Sequence, residues 1–222
     1  KMTEIFFQID EFMKVFEPAL RQNLISQGKK TRNRPGRMSS SEIMTISVLY
    51  HVSGFKNFKH FYIFYVQKHM EKEFPKTVSY NRFVELMQAN LLPLVLFMKT
   101  CCLGECTGIS FIDSTPIRVC HNKRISNNKV FKGIATTGRS TMGWIHGFKL
   151  HLMVNDKGEI LNFVITQANV DDRQPLKDGN ILKNVFGSLY ADKGYISKEL
   201  AAMLFDDGLH LITGIRSNMK NV

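Results

Sequence analysis

Two short apolar stretches lie far apart in this sequence, and each runs into an aspartate; no other feature constrains the fold as tightly. Residues 108–113 read GISFID, in which Ile109, Phe111 and Ile112 form an apolar run bounded by a glycine and by Ser-Thr-Pro. Such a run fits a short buried strand that ends on a carboxylate at Asp113. Residues 187–192, GSLYAD, repeat the device and end on Asp192 before the strand-breaking Lys193-Gly194-Tyr195. If the two strands are neighbours in one sheet, Asp113 and Asp192 leave the same edge together. They then offer hard oxygen ligands to a divalent cation such as magnesium, the start of a metal-dependent phosphoryl-transfer site.

The surroundings of Asp113 point to a polyanionic partner. Residues 114–155 contain no Asp or Glu, yet they include Arg118, Lys123, Arg124, Lys129, Lys132, Arg139 and Lys149, with His121, His146 and His151 among them. One carboxylate needs one cation for balance, whereas seven match a chain of phosphates. A solvated basic loop accounts for the same run without a partner. The whole chain carries a formal net charge of +11, which favours nucleic acid or an anionic membrane surface. The most apolar run, residues 91–98, is far short of the ~18 residues of a membrane span and contains Pro93. The N-terminus lacks the pattern of a signal peptide, so no membrane association and a cytoplasmic location are expected. Cys101, Cys102, Cys106 and Cys120 match no paired Cys-x-x-Cys spacing and read as reduced thiols.

The first hundred residues have helical periodicity. Ile5, Ile9, Phe12, Met13 and Phe16 mark a first helix expected to stop before Pro18. Residues 29–37 hold Lys29, Lys30, Arg32, Arg34 and Arg37 around a Pro-Gly break, an exposed arm suited to phosphate contacts. Ser39 with Glu42 is a capping box, and Gly54 ends the helix it opens. Phe55, Phe58, Phe61, Tyr62 and Tyr65 then continue at helical spacing with basic residues between them, the outline of a helix-turn-helix whose aromatics serve either as core or as base contacts. After Gly108 the period becomes strand-like. Phe148, Leu150, Leu152 and Val154 alternate with Lys149, His151 and Met153. Residues 155–158 supply a turn, and Leu161, Phe163 and Ile165 alternate on the return. Asp172 is expected to cap a helix containing Leu176, Ile181, Leu182 and Val185. A strand, a helix near 197–205 and a last strand near 210–214 complete an α/β order. Neither a phosphate-loop motif nor a dinucleotide fingerprint is present, so ATP and nicotinamide cofactors are excluded as motif-based readings.

The FIDSTPI stretch around Asp113, the GFKLHLMVNDKGEILNFVITQANVDDR stretch of residues 147–173 and the LYADKGY stretch around Asp192 resemble the bacterial insertion-sequence transposases of the DDE class. With the helical front half, the resemblance covers nearly the whole chain. It implies an α+β chain: an all-helical DNA-binding domain over residues 1–106, then a ribonuclease H-like mixed α/β catalytic domain over 107–222. Asp113 is then the first catalytic carboxylate and Asp192 the second, 79 residues on (192 − 113). The family's third acid, a Glu on a later helix, has no matching position, so the catalytic domain is expected to be incomplete at its C-terminal end. An uncovered apolar sheet face at the strands of Phe111 and Leu189 is expected with it. The implied cofactor is Mg2+, with Mn2+ able to substitute. The implied partners are double-stranded DNA, both terminal repeats and target, and a second copy in a homodimer. Lys193 stands where it can touch phosphate, as can Lys149. Two rivals stay open: a DNA-binding regulator that performs no chemistry, and a nuclease of the same fold.

Overall fold

The computed structural model describes residues 1–29, 36–140 and 143–215, and the chain divides into two compact units, Lys1–Cys102 and Leu103–Val222. In the first unit, α1 (Met2–Ser26) does not stop before Pro18 as expected but runs through it. An internal proline costs the helix one backbone hydrogen bond. The good helix formers on its C-terminal side, Ala19, Leu20, Arg21 and Gln22, carry the helix on. The capping box of α2 (Ser40–Val52) is present in full: Glu42 N donates to Ser39 Oγ at 3.1 Å, and Ser39 N donates to Glu42 Oε2 at 2.7 Å. Gly54, at φ +74, turns the chain in the left-handed region that a side chain rarely adopts.

The next helical run begins as α3 (Phe58–His60), widens into a π-helical stretch (Phe61–Val66) and closes as α4 (Gln67–His69). Its rings settle the choice between core and base contacts mostly in favour of core. Phe61, Tyr62 and Val66 are fully buried with Ile43, Ile46 and Phe83, and the Tyr62 and Phe83 rings lie 4.4 Å apart. Phe64 and Tyr65 are the exposed exceptions. The helices α5 (Tyr80–Ala89) and α6 (Leu91–Cys101) complete the unit. Phe97 of α6 packs with Ile9 and Met13 of α1 and with Met44 of α2. Pro93 falls in the first turn of α6, where a missing N–H costs little. Among the described residues no single helix is long and apolar enough to cross a membrane.

The second unit is built on a six-stranded mixed sheet of β1 (Ile109–Cys120), β2 (Thr136–Ser140), β3 (Gly143–Asn155), β4 (Ile160–Gln167), β5 (Gly187–Ala191) and β6 (Leu209–Thr213). Across the sheet the order is β4-β3-β1-β5-β6. β2 pairs with the first residues of β3, on from the part that pairs with β4. β1 runs antiparallel to β3 and parallel to β5, and β5 parallel to β6. A mixed sheet with helices packed on it is the α/β order expected from the sequence. β1 is longer than expected: Ser114–Cys120 does not turn away but pairs with the first half of β3. Pro116 is tolerated there because β5 has already ended, which leaves one edge of β1 open.

One sheet face is covered by α7 (Gln174–Lys177), a 3-10 turn (Asn180–Leu182) and α8 (Lys198–Asp206). Ile112, Met153, Leu161, Leu176, Ile181, Leu189, Leu200 and Leu204 are buried there. The single long helix expected after Asp172 is instead this short helix and turn, because Gly179 (φ +72) and Asn184 (φ +62) take left-handed conformations that end helices. Asp172 is accordingly not a helix cap. The strand β3 also inverts the expected pattern. Lys149, His151 and Met153 are buried, while Phe148, Leu150, Leu152 and Val154 are only partly covered. The opposite face exposes Ile109, Phe111 and Tyr190, with the last two rings stacked 5.3 Å apart. Leu189, expected on that face, is fully buried on the other.

Candidate active site

The parallel pairing of β1 with β5 brings the two strand-end aspartates together. Phe111 is registered with Tyr190 and Ile112 with Ala191, so one step further along each strand stand Asp113 and Asp192. Ile112 and Leu189 point into the core, so the alternation of a strand sends Asp113 and Asp192 to the exposed face with Phe111 and Tyr190. Gly187 makes this pairing possible. Its φ is +85, and a Cβ there would overlap the Gly108 carbonyl, so only glycine lets the two strands start this close.

Each carboxylate is oriented by the backbone just after it. Asp113 Oδ1 accepts from Ser114 N at 2.7 Å, and Asp192 Oδ1 accepts from Gly194 N at 2.8 Å as it caps the 3-10 turn Lys193–Tyr195. The second oxygen of each has no hydrogen-bond partner among the described residues. Gly194 is packed against its neighbour so closely that a Cβ there would lie 2.9 Å from Asp192 Oδ1.

Directly behind these acids, on the covered face, lies a polar cluster. Lys149 Nζ donates to Asp172 Oδ1 at 2.9 Å and to the Val170 carbonyl at 2.8 Å, and its side chain is only 10% exposed. The two ring nitrogens of His151 differ: Nε2 shares a 2.9 Å hydrogen bond with Thr166 Oγ1, and the buried Nδ1 has no partner. Burial pushes the His151 imidazole below its ordinary value, against the weaker opposing pull of Asp172 and Asp113, so the ring is held neutral. The Tyr195 hydroxyl is likewise buried; the Ser114 side chain is its hydrogen-bonding neighbour, without a bond of regular geometry. Burial first, then the charges of Asp172, Asp113 and Asp192, push this phenol well above its ordinary value.

Residues 103–222, 120 of the 222, match the family described as Transposase DDE domain. The chain belongs to that family. No curated protein matches the sequence. Among solved structures, the cryo-EM structure of a piggyBac transposase synaptic complex with hairpin DNA is similar over 99% of this chain and 50% of that one, at 13% identity and a TM-score of 0.47. The chain therefore spans about half the length of that transposase.

Within the DDE domain the expected cations separate into two groups. Arg118, Lys123, Arg124, Lys129, Lys132 and Arg139 are exposed on the excursion that leaves β1 and returns through β2, and Lys193 is exposed beside Asp192. Lys149 differs from the expectation of a phosphate contact, because its ammonium is buried and already bound by Asp172 and a carbonyl. In the helical unit Lys29 and Arg37 are exposed, and Lys30, Arg32 and Arg34 lie outside the described residues. Sequence reasoning passed over Asp172 and Tyr195. The available signal was a lysine and a histidine alternating in a strand whose neighbours are apolar, since such residues need buried partners.

Asp113 and Asp192 suit a magnesium ion as a partial donor set. Both are hard oxygen donors with an uncommitted oxygen, and magnesium is held by one or two carboxylates together with water and substrate phosphate. Among the described residues no group of three His, Cys, Asp or Glu side chains is placed to hold a metal by itself.

Proposed function

We propose that this chain carries the DNA-cleaving and strand-transfer chemistry of a bacterial insertion-sequence transposase, with Asp113 and Asp192 as catalytic carboxylates that hold divalent cations, Mg2+ or Mn2+. The observation that carries the proposal is the β1–β5 register, which sets both carboxylates side by side on one exposed face. When bound, the cations polarise the scissile phosphate and lower the cost of generating a nucleophilic oxygen. The residues of the chain do the rest. Asp113 and Asp192 fix the position of that charge through backbone hydrogen bonds from Ser114 and Gly194. Lys193 lies one residue beyond Asp192, in reach of the same phosphate backbone. No covalent protein–DNA step is required, which agrees with a site built from carboxylates rather than from a serine or tyrosine nucleophile.

Double-stranded DNA, as terminal repeats and as target, is the proposed partner. The exposed cations Arg118, Lys123, Arg124, Lys129, Lys132 and Arg139 follow its backbone in the DDE domain. The helical unit, with the arm of Lys29, Lys30, Arg32, Arg34 and Arg37, holds the transposon end. Pairing two ends calls for a homodimer, in the cytoplasm and on the nucleoid. The test is incubation of the chain with DNA bearing the terminal sequences of its element and Mn2+ or Mg2+. Nicks with free 3′-hydroxyls are expected, absent in Asp113→Asn and in Asp192→Asn while binding persists. Nicking retained by either variant removes that residue from the mechanism. Binding without nicking by the unaltered chain assigns it to DNA binding without chemistry.

A further inference from the structure

The second residue of β3 is the only tryptophan of the chain, Trp144, and it is 61% exposed. Tryptophan is on average a highly buried side chain, so a free indole is an informative exception. No ring stacks on it among the described residues. Its backbone, by contrast, is tightly held. The Trp144 carbonyl accepts from Asn122 Nδ2 at 2.9 Å, and Trp144 pairs with Arg139 across the β2–β3 ladder. The ladder itself is clamped to the strand-end loop after β4. A Cβ on Gly138 would overlap the Ala168 carbonyl, and Thr136 Oγ1 donates to Asn169 Oδ1 at 2.7 Å. Phe131 anchors the intervening loop on Phe148, ring centroids 5.6 Å apart. A rigid backbone thus presents a free aromatic face, and its cross-strand neighbour Arg139 leaves the same side of the ribbon.

We infer that Trp144 is a stacking platform for an unpaired DNA base, with Arg139, Lys123 and Arg124 taking the adjacent phosphates. The inference rests on the proposed action on DNA and names a feature of the substrate. Charge narrows the partner: residues 114–155 contain cations and no acid, so an anionic polymer is attracted. The indole chooses the base. In a duplex each base face is covered by its stacked neighbours, so a fixed indole finds a partner ring only where a base is unpaired or unstacked. Trp144 is eight residues along β3 from Leu152, the partner of Asp113, or ~26 Å at a strand rise of ~3.3 Å. The stacked base therefore lies several nucleotides from the phosphate that reacts.

One tryptophan makes the test direct. The full chain is titrated with a 16-nucleotide single strand and with the same sequence as a blunt duplex, reading indole emission and, separately, DNA anisotropy. The single strand is expected to quench Trp144. Trp144→Ala should bind the single strand about tenfold more weakly and Trp144→Phe should recover most of the loss, with duplex affinity unchanged in both. Circular dichroism of each variant checks that the exposed substitution leaves the fold intact. Unmoved emission, together with full single-strand affinity in Trp144→Ala, overturns the platform and leaves the proposed function standing. Equal quenching and equal loss with the blunt duplex also overturns it, in favour of a duplex contact. Failure of the unaltered chain to bind either DNA sinks this inference and the proposed function together.

Discussion

Replacing Lys149 by methionine distinguishes a phosphate-contacting lysine from the buried one described above. The substitution keeps the length of the apolar stem and deletes the ammonium, which is bound at 2.9 Å by Asp172 and at 2.8 Å by the Val170 carbonyl. Breaking a fully buried ion pair costs about 3–5 kcal/mol because one charge is left without compensation. Asp172 keeps 30% of its side-chain exposure and part of its hydration, which brings its share down to roughly 2 kcal/mol. The orphaned carbonyl adds about 1 kcal/mol, for a total of about 3 kcal/mol. Asp172→Asn should cost a similar amount, about 3 kcal/mol, because the amide oxygen still accepts from the ammonium but the more buried of the two charges is left without its counter-ion. In the double variant the losses should fall short of their sum by about 1 kcal/mol or more, as contacting residues do. Hydrogen exchange at the β3 amides measures the effect in the unit concerned, apart from the helical one. A change below about 0.5 kcal/mol in Lys149→Met, together with weaker DNA binding and a shallower salt dependence, would refute the buried pair.

Three further outcomes follow from the same cluster. Gly194→Ala places a methyl 2.9 Å from Asp192 Oδ1 and should displace the carboxylate from its backbone hydrogen bond, lowering Mn2+ affinity about tenfold; calorimetry showing unchanged affinity would contradict it. Tyr195→Phe deletes a buried hydroxyl without a hydrogen bond of regular geometry, so the urea midpoint should hold or rise, and a loss above about 1 kcal/mol would show that the hydroxyl is bonded. Asp171 is held down to about 2, first by its side-chain hydrogen bond from Arg173. Its folded value lies below the unfolded one, so its contribution is complete above about pH 4 and disappears as pH falls towards 2. Arg173→Gln should therefore lower stability near neutral pH, with the difference from the unaltered chain shrinking as pH falls from about 4 towards 2, as denaturant unfolding across that range can check.

Much of this architecture is written locally in the chain. The two runs ending at Asp113 and Asp192 are short, apolar and punctuated by glycine, and they form adjacent strands whose parallel register pairs the acids. The capping box at Ser39 and the turn at residues 155–158 are equally local, and both are present. What escaped was decided by tertiary contact. Pro18 looks like a helix stop until the residues after it continue the helix, and Ser-Thr-Pro after Asp113 looks like a turn until β3 supplies it with a partner. The alternation of β3 identified its two faces but not which one is buried. That depended on Asp172, Val170 and Thr166, which neutralise or bond Lys149 and His151 from 15 to 23 residues away. For the same reason Asp172 read as a cap at a helix start, because nothing near it in sequence reveals its lysine.

The central claim, that Asp113 and Asp192 jointly hold a divalent cation, is tested most directly by iron-directed cleavage of the protein backbone. Fe2+ bound in place of Mg2+ generates hydroxyl radicals with ascorbate and peroxide, and these cut the chain beside the metal. Cuts are expected at the end of β5 near Asp192 and in β1 near Asp113, suppressed by excess Mg2+ and lost from both places at once in Asp113→Asn or Asp192→Asn. Cuts elsewhere, or cuts near one aspartate that survive replacement of the other, would contradict a shared site.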